Sequence, residues 1–569
     1  MQGILRRPTL AGRLLLAAVL LSGAGLAQQP DPAPLHSFFA PVEVPLVSID
    51  VSVTDRRGRP VPGLAAEDFE VLEDGEPVAI SHFYAAPGVG TSPKDASVEV
   101  PPQDLYLVVY IDDTNLDRSR RQSALEHMRG FLDSTLPEGL QVMIVRYDGG
   151  VQVEQGFSSD LEEVRAALDR AASAASLSRD VHESRLLREM STARQPAATT
   201  GARIKDYTDR AADRLLREID SYAEQTVQRT RAGIADQMRF VRSLSGLGGR
   251  KAVLVISDGV EARVGERLYR AWAEVFRSVP GLELEAQQAL LRAARNDVSD
   301  EFDELARVAN AHRVSLYTLS RAGDGVVAAS SAESRFADTQ GLIVDQTLSA
   351  DVLMASTAGT TGGRVLASSP GLAEQLDEVA EELARYYSLA FEPSHAGDGG
   401  YHTIEVRVRR EGLRVRHREG YLDVPPDDRL ADRALAAAVH GIGANPLGIS
   451  LARGETVSRD DGSLLVPVVI TVPIGELVLV PAEEEHRGLI TILLVVRGAD
   501  GGLSPVQERQ IPVPVDNLDL PTAIGQNAGF TLRLAMRPGP QRIAVGVRDD
   551  VGRVESVTTL DVEVGPSEG

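Results

Sequence analysis

Asp112, Asp113, Thr114 and Asn115 stand in a row directly after the apolar run Leu105-Tyr-Leu-Val-Val-Tyr-Ile111. Asp258 and Gly259 follow a second such run, Ala252-Val-Leu-Val-Ile-Ser257. Runs this continuous suit strands buried on both faces of a parallel sheet. In an open α/β sheet the ligand crevice lies beyond the carboxyl ends of the strands. Two carboxylates delivered there by adjacent strands suit a hard cation, because Mg2+ and Ca2+ take oxygen ligands. Thr114 adds a hydroxyl and Asn115 an amide oxygen. The candidate ligands are therefore Asp112, Thr114 and Asp258, with Asp113 and Asn115 as additional ones.

Other chemistries find less support. The chain has no cysteine, which excludes disulfides, thiolate zinc sites, thiol nucleophiles and a lipidated N-terminal cysteine. His182-Glu183 lacks the second histidine of a zincin helix, and no Gly-x-Ser-x-Gly elbow occurs. His127, His312, His395, His402 and His417 show no metal-ligand spacing. Gly246-Leu-Gly-Gly-Arg-Lys251 precedes a strand instead of following one, so its amides cannot open a helix toward phosphate. It reads as a helix stop. Gly362-Gly363 reads as a turn, and Tyr386-Tyr387 as one core and one rim aromatic. No catalytic residue is assigned, and the chain is expected to bind and not to catalyse.

The elements that must position the strand-end residues alternate. After the first apolar run, residues 118–132 have helical spacing. Val142-Met-Ile-Val-Arg-Tyr147 and Val151-Gln-Val-Glu154 flank Asp148-Gly-Gly150, a hairpin signal. Val314-Ser-Leu-Tyr-Thr-Leu319 and Arg364-Val-Leu366 complete the strands, with helices before and after each. This order predicts a doubly wound, mostly parallel open sheet over residues 104–385. A polar, Arg/Glu/Asp-rich stretch at 173–226 interrupts it and reads as a helical insertion on the surface. Alternating strands broken by Asp/Gly turns make a β-rich module of 42–85. These residues form only half a sandwich, and the strands of 386–424 are candidates to complete it. A linker at 86–103, a helical linker at 425–444 and a C-terminal β-sandwich at 445–566 account for the rest.

Bulk properties narrow the partners. A chain of 569 residues exceeds one hydrophobic core. Its formal charge of −23 repels phosphate backbones and anionic lipid, which argues against nucleic acid. Aromatics make up 4% of residues, too few for extended base- or sugar-stacking platforms. Arg6, Arg7 and Arg13 precede the apolar run 14–21, and Gly25-Leu-Ala27 supplies small residues near a cleavage point. Residues 1–27 thus have the pattern of a secretory signal, followed by a linker at 28–41. The expectation is an exported protein, periplasmic, cell-surface or extracellular, with no membrane span after signal removal.

Asp112-x-Thr114 after the first strand, and Ser257-Asp258-Gly259 after the second, resemble the metal-ion-dependent adhesion site of the von Willebrand factor A family. The ordered set Asp68-Phe-Glu-Val, Glu73-Asp-Gly75, Thr361-Gly-Gly363, Phe391-Glu-Pro393, Tyr401-His402 and Gly420-Tyr421 is similar to that of related exported proteins of the acidobacterial type, over residues 42–424. The resemblance implies a VWA-like α/β fold and adhesion-type binding of a protein ligand, bridged by Mg2+ or another divalent cation. Leu116 stands at the family's second serine position and offers no ligand; Ser176 or Ser178 could supply the hydroxyl that the family takes from a further Thr. The alternative is a structural or scaffolding envelope protein with a metal-free fold, its contacts made by the helical insertion and the C-terminal sandwich.

Overall fold

The computed structural model describes residues 46–86, 104–133, 136–137, 139–174, 180–193, 202–320, 347–367, 371–395, 397–424, 426–458, 464–499 and 501–565. The segment 1–27 expected as a signal, the expected linker at 28–41, all but Ala86 of the stretch 86–103, and Ser176 and Ser178 lie outside the described residues. The chain divides into two units, Val44–Pro425 and Pro426–Gly569, the latter grouped with the undescribed Met1–Glu43.

The first unit opens with β1 (Val47–Thr54), β2 (Phe69–Glu73), β3 (Glu76–Val78) and β4 (Ile80–Ala85). The α/β part follows with β5 (Leu105–Asp112), α1 (Arg118–Leu132), β6 (Leu140–Tyr147), β7 (Val151–Ser158) and α2 (Leu161–Ser173). It continues through α3 (Asp180–Ala193), α4 (Ala202–Ser243), β8 (Arg250–Ile256), α5 (Glu266–Phe276), α6 (Glu283–Ala293) and α7 (Ser299–Ala311). It ends with β9 (Val314–Ser320), α8 (Thr347–Thr360), β10 (Val365–Ala367) and α9 (Leu372–Ala384). Then come β11 (Tyr387–Phe391), β12 (Tyr401–Val408), β13 (Arg414–Arg416) and β14 (Gly420–Leu422).

Six strands form one sheet in the order β10-β9-β8-β5-β6-β7, parallel except for the β6–β7 hairpin at one edge. From β5 the chain steps to β6 on one side, and β8 later adds on the other side. The order therefore reverses between β5 and β8, and a crevice opens at such a reversal. Strand β5 is buried along its whole length because both faces are covered. Leu107, Val109 and Ile111 join Leu125 and Met128 of α1, Val164 and Leu168 of α2, and Leu376 and Leu383 of α9. The alternate side chain Tyr110 faces Tyr147 and Phe240 of α4, with ring centroids 6.4 and 5.9 Å away. The protein is thus mixed α/β, with a mostly parallel six-stranded sheet and several antiparallel sheets.

The stretch at 173–226 is mostly helical where described, and one stripe of it is buried. Leu186 and Met190 of α3 and Leu215, Leu216, Ile219 and Ala223 of α4 bury against Leu268, Trp272 and Phe276 of α5 and Ala286 and Ala289 of α6. Trp272, the only tryptophan, is fully buried and donates its indole N–H to the Ala212 carbonyl at 2.9 Å. Helix α4 then runs on for 42 residues in all, so its C-terminal end serves the main sheet.

Strands from either side of the α/β part interleave. One four-stranded sheet runs β13-β1-β11-β4 and another β14-β12-β2-β3. Ile49 opposes Leu389 and Val71 opposes Val406. Phe69, Val71, Tyr387, Phe391 and Ile404 fill the core between them. The Tyr387 hydroxyl donates to the Val61 carbonyl at 2.8 Å and accepts from the Leu64 amide at 3.2 Å.

In the second unit, α10 (Pro426–His440) precedes β15 (Ser450–Arg453), β16 (Val457–Ser458), β17 (Leu464–Pro473), β18 (Val480–Pro481), β19 (Glu485–Arg497) and β20 (Gln507–Asp516). A short α11 (Leu520–Ala523), β21 (Asn527–Met536), β22 (Gly539–Asp549) and β23 (Glu555–Val564) end it. Two antiparallel sheets, one holding β15-β17-β16 with β21 and one β18-β19-β22-β23 with β20, share a core of Val466, Val468, Ile470, Ile492, Leu494 and Val545. The helix expected as a linker instead packs on this unit, burying Leu430, Ala437 and Ala438 against Val495, Ala544 and Val557.

Gly249, at φ +74°, lets the chain enter β8 hard against β5: the Arg250 amide donates to the Asp104 carbonyl at 2.9 Å, and a Cβ at 249 would collide with that oxygen. Gly249→Ala should lower stability by at least about 1 kcal/mol. Gly150→Ala, whose Cβ meets nothing within 4 Å, serves as a near-neutral control. Urea unfolding followed by Trp272 fluorescence measures both; equal midpoints would refute the close-approach account.

Candidate functional site at the ends of β5 and β8

The last residue of β5 and the first residues after β8 meet across the reversal point. The Ser257 hydroxyl donates to Asp112 Oδ2 at 2.9 Å. The Asp258 amide donates to the Asn115 carbonyl at 2.7 Å, and Asp258 Oδ2 accepts the Asp117 amide at 2.7 Å. Asp117 in turn caps α1, taking the Ser119 and Arg120 amides on Oδ1 at 2.9 and 3.4 Å. The turn 113–117 is thereby stitched to the neighbouring strand at both ends.

Asp112 gathers the turn around its carboxylate. Oδ1 accepts from the Thr114 hydroxyl at 2.7 Å and from the Thr114 and Asn115 amides, each at 3.2 Å. Oδ2 accepts from Asn115 Nδ2 at 2.8 Å, besides Ser257. Asn115 Oδ1 is buried and has no hydrogen-bond partner among the described residues. Asp112, Thr114 and Asn115 are thus brought together with Ser257, which sequence reasoning passed over although it lies beside Asp258.

Asp258 shares the rim but is already paired. Arg120, in the first turn of α1, donates Nε to Oδ1 at 2.5 Å and Nη2 to Oδ2 at 2.7 Å, a bidentate fork. A shallow depression runs alongside this pair, lined also by Leu116, Ser123, Leu319 and Leu372. Leu116 is 5% exposed and belongs to the core under α1, which explains an apolar residue where a serine ligand is expected.

Asp113 takes a separate path. It is fully buried, with Oδ1 held by Arg121 Nε and Oδ2 by Arg146 Nε, each at 2.7 Å. Arg146 also reaches Glu154 at 3.2 Å, and Arg121 donates to the Ala171 and Ala172 carbonyls at 2.5 and 3.0 Å. Both Asp113 oxygens are committed to these arginines, and the side chain is an internal ion-pair anchor. Adjacent identical residues thus divide the work, one facing the rim and one the interior.

The histidines also fall in unforeseen places. His312 sits half-buried, and burial together with the nearby Lys251 and Arg242 pushes its ring down to about 4, so it is neutral at neutral pH. His395 and His402 stack with centroids 5.0 Å apart and meet Asp74 from the β2–β3 turn. Their spacing of seven positions, with a partner more than 300 residues earlier, carries no local signal.

No helix among the described residues is long and apolar enough to cross a membrane. No protein-family model matches the chain, and no curated protein matches it. Among solved structures, an aerotolerance-related membrane protein from Bacteroides fragilis matches at 12% identity, covering 49% of this chain and 98% of that one, with a TM-score of 0.21. BatB from Bacteroides thetaiotaomicron matches at 10% identity over 49% and 98%, TM-score 0.21. A manganese-loaded TRAP protein from Plasmodium vivax matches at 9% identity over 56% and 94%, TM-score 0.19. Similarity of this degree assigns nothing, and the functional reading rests on the chain's own geometry.

Asp113→Ala would leave two arginines buried without their shared counter-charge. The expected loss is about 3–5 kcal/mol in urea unfolding monitored at Trp272. A change below about 1 kcal/mol would mean that the ion pair does not anchor the rim.

Proposed function

We propose that this chain is an exported, VWA-like recognition protein whose α/β domain engages a protein ligand at the rim where β5 and β8 end. The observation that carries the reading is the convergence of the Asp112 carboxylate with the Thr114 and Ser257 hydroxyls at the point where strand order reverses. Both strand-end carboxylates already accept several hydrogen bonds, so neither is poised as a general base, and this supports binding over catalysis.

A divalent cation such as Mg2+ suits the donors present. One carboxylate, two hydroxyls and the unpartnered Asn115 Oδ1 are hard oxygen ligands, and a hydroxyl retains acceptor lone pairs while it donates. Asp112, Thr114, Ser257 and Asn115 would hold the ion, which would offer a coordination position to a carboxylate of the ligand. Asp258 contributes less than its position suggests, because the Arg120 guanidinium already neutralises it. Arg120 is therefore a built-in competitor for the cation.

A scaffolding role is the second reading. Leu284, Leu290 and Leu291 of α6, beside the α3–α4 insertion, are 65%, 46% and 67% exposed, more apolar surface than a solvated helix needs. Leu284→Ser/Leu291→Ser abolishing partner capture while Asp112→Ala leaves it intact would favour that reading.

Calorimetric titration with Mg2+, Mn2+ and Ca2+ tests the rim. Wild type should give saturable heat with at least one ion, Asp112→Ala should lose it, and Arg120→Gln should bind roughly tenfold more tightly, the effect of removing about 1.4 kcal/mol of competing charge. No heat with any ion in wild type and Arg120→Gln alike would sink the cation bridge. Capture of a partner from the source organism's envelope fraction should then depend on the same ion and fail with a chelator.

A further inference from the structure

The interleaved sandwich carries a second cluster of ligand-type side chains, remote in sequence from the rim. Asp74 lies in the β2–β3 turn at φ +49°, a left-handed position that aspartate tolerates better than most residues. The Thr403 amide and hydroxyl donate to its Oδ1 at 2.8 and 2.9 Å, which turns Oδ2 toward His402 Nδ1, 2.8 Å away. On the other side of the ring, His402 Nε2 lies 3.2 Å from Asp398 Oδ1. The His395 ring lies nearly parallel to His402, 8° off, and makes no hydrogen bond among the described residues. One donor atom from each of Asp74, His395 and His402 falls within 4.8 Å of the others.

Three features separate this cluster from ordinary surface polarity. Neither Asp74 nor Asp398 has an arginine or lysine partner among the described residues; their side-chain ion partner is His402, and the remaining bonds come from Thr403 and the Gly400 amide. Gly400 keeps the gap open, since a Cβ there would come within 2.8 Å of Asp398 Oδ1 and 3.1 Å of His402 Nε2. The loop is also held from behind: Asp423 Oδ2 accepts the amides of Gly397 and Asp398, and Glu73, 3% exposed, accepts the Tyr421 hydroxyl at 2.5 Å and the Ser394 hydroxyl at 3.3 Å. Asp74 and His402 are thus fixed before any ligand arrives, while His395 can turn at no cost in hydrogen bonds.

We infer that Asp74, His395 and His402 form a binding site for a first-row divalent cation of the zinc class, with Asp398 orienting His402 from its far nitrogen. Two imidazoles and a carboxylate are the borderline donors that Zn2+ prefers, whereas Mg2+ seeks an all-oxygen shell. A carboxylate on the remote nitrogen of a ligating histidine fixes the ring and raises its basicity, the part assigned to Asp398. A bound ion would tie the β2–β3 turn to the loop entering β12, joining segments from opposite sides of the inserted α/β part, and would stabilise the folded chain by mass action. The site is independent of the rim and of any ligand bound there.

The test uses untagged, chelator-stripped full chain titrated with Zn2+ alone against a chromophoric chelator, with thermal unfolding read in parallel. Wild type should take up one Zn2+ equivalent and unfold at a higher temperature with the metal. His395→Ala, which removes an exposed and unbonded side chain and so leaves the apo fold intact, should weaken the site at least about tenfold and abolish the thermal shift. Asp398→Asn should weaken it about tenfold as well, and Asp112→Ala should leave it unchanged. Mg2+ in large excess should not displace the Zn2+. No saturable Zn2+ uptake by wild type, or equal affinity in wild type and His395→Ala, would overturn the proposal, and loss of the site in Asp112→Ala would relocate it to the rim.

Discussion

A fully buried carboxylate, Asp113, organises everything around the rim. Moving an ion out of water costs several kcal/mol even after relaxation, and a buried charge survives only with partners that meet its lone pairs. Arg121 comes from α1 and Arg146 from β6, and Glu154 of β7 balances the second arginine. Two acids and two arginines leave no net charge inside. Arg121 also reaches the carbonyls of Ala171 and Ala172, which sit in the last turn of α2 where carbonyls lack partners within the helix. One side chain at the end of β5 therefore ties together two helices and two further strands. With that face of the turn committed, the Asp112 carboxylate lies toward Ser257 of the neighbouring strand.

A second constraint acts at the scale of the chain. Val47 pairs with Phe391 and Ser48 with Ala390, so the sandwich closes over more than 300 intervening residues. Loop-closure entropy rises only logarithmically with length, and the intervening α/β part is compact in its own right. Closure is reinforced by polar contacts between the two layers of this unit. Arg418, 9% exposed, donates to the carbonyls of Asn310 and Ser48, each at 2.8 Å, and Asn310 donates to the Tyr401 hydroxyl at 3.0 Å. Burial, with Arg313 close by, pushes the Arg418 guanidinium down to about 9, still protonated at neutral pH. The Arg250 guanidinium lies 4.7 Å over the Tyr386 ring, which is buried like Tyr387 beside it and is not a rim aromatic.

What could be read from the chain follows from where burial erases or preserves periodicity. Leu105–Ile111 and Ala252–Ile256 show no alternation because helices cover both faces, and that signature is sufficient to place two central parallel strands and the carboxylates that end them. The polar texture of 173–226 gives helices but hides their packing partner, because α3 and α4 bury only a stripe each; the apolar partner surface is supplied by Leu268, Trp272 and Phe276, more than 30 residues onward. Nothing local distinguishes Asp112 from Asp113, since the arginines that claim the second lie eight and 33 positions away. Arg120 was equally hidden, because its pairing with Asp258 depends on which strand lies next to β5. Gly362-Gly363 reads as a turn, yet the structure also requires Gly363 for packing, since a Cβ there would collide with the Leu316 carbonyl.

A formal charge of −23 suggests affinity for cations in general, but local pairing decides where a cation can bind. Asp113 and Asp258 are spent on arginines whose guanidinium forks no aqueous ion displaces cheaply. Asp112 is surrounded by neutral donors, two of them hydroxyls that can reverse their role and present lone pairs. Asp74 faces an imidazole, which in its neutral form carries a ring-nitrogen lone pair that a guanidinium lacks. Ranked by what must be displaced, the acids at these two places order themselves: those held by arginine last, those held by hydroxyl, amide or imidazole first. The rim offers only hard oxygen donors and the sandwich cluster offers imidazoles as well, so the two proposals rest on different chemistry and stand or fall separately.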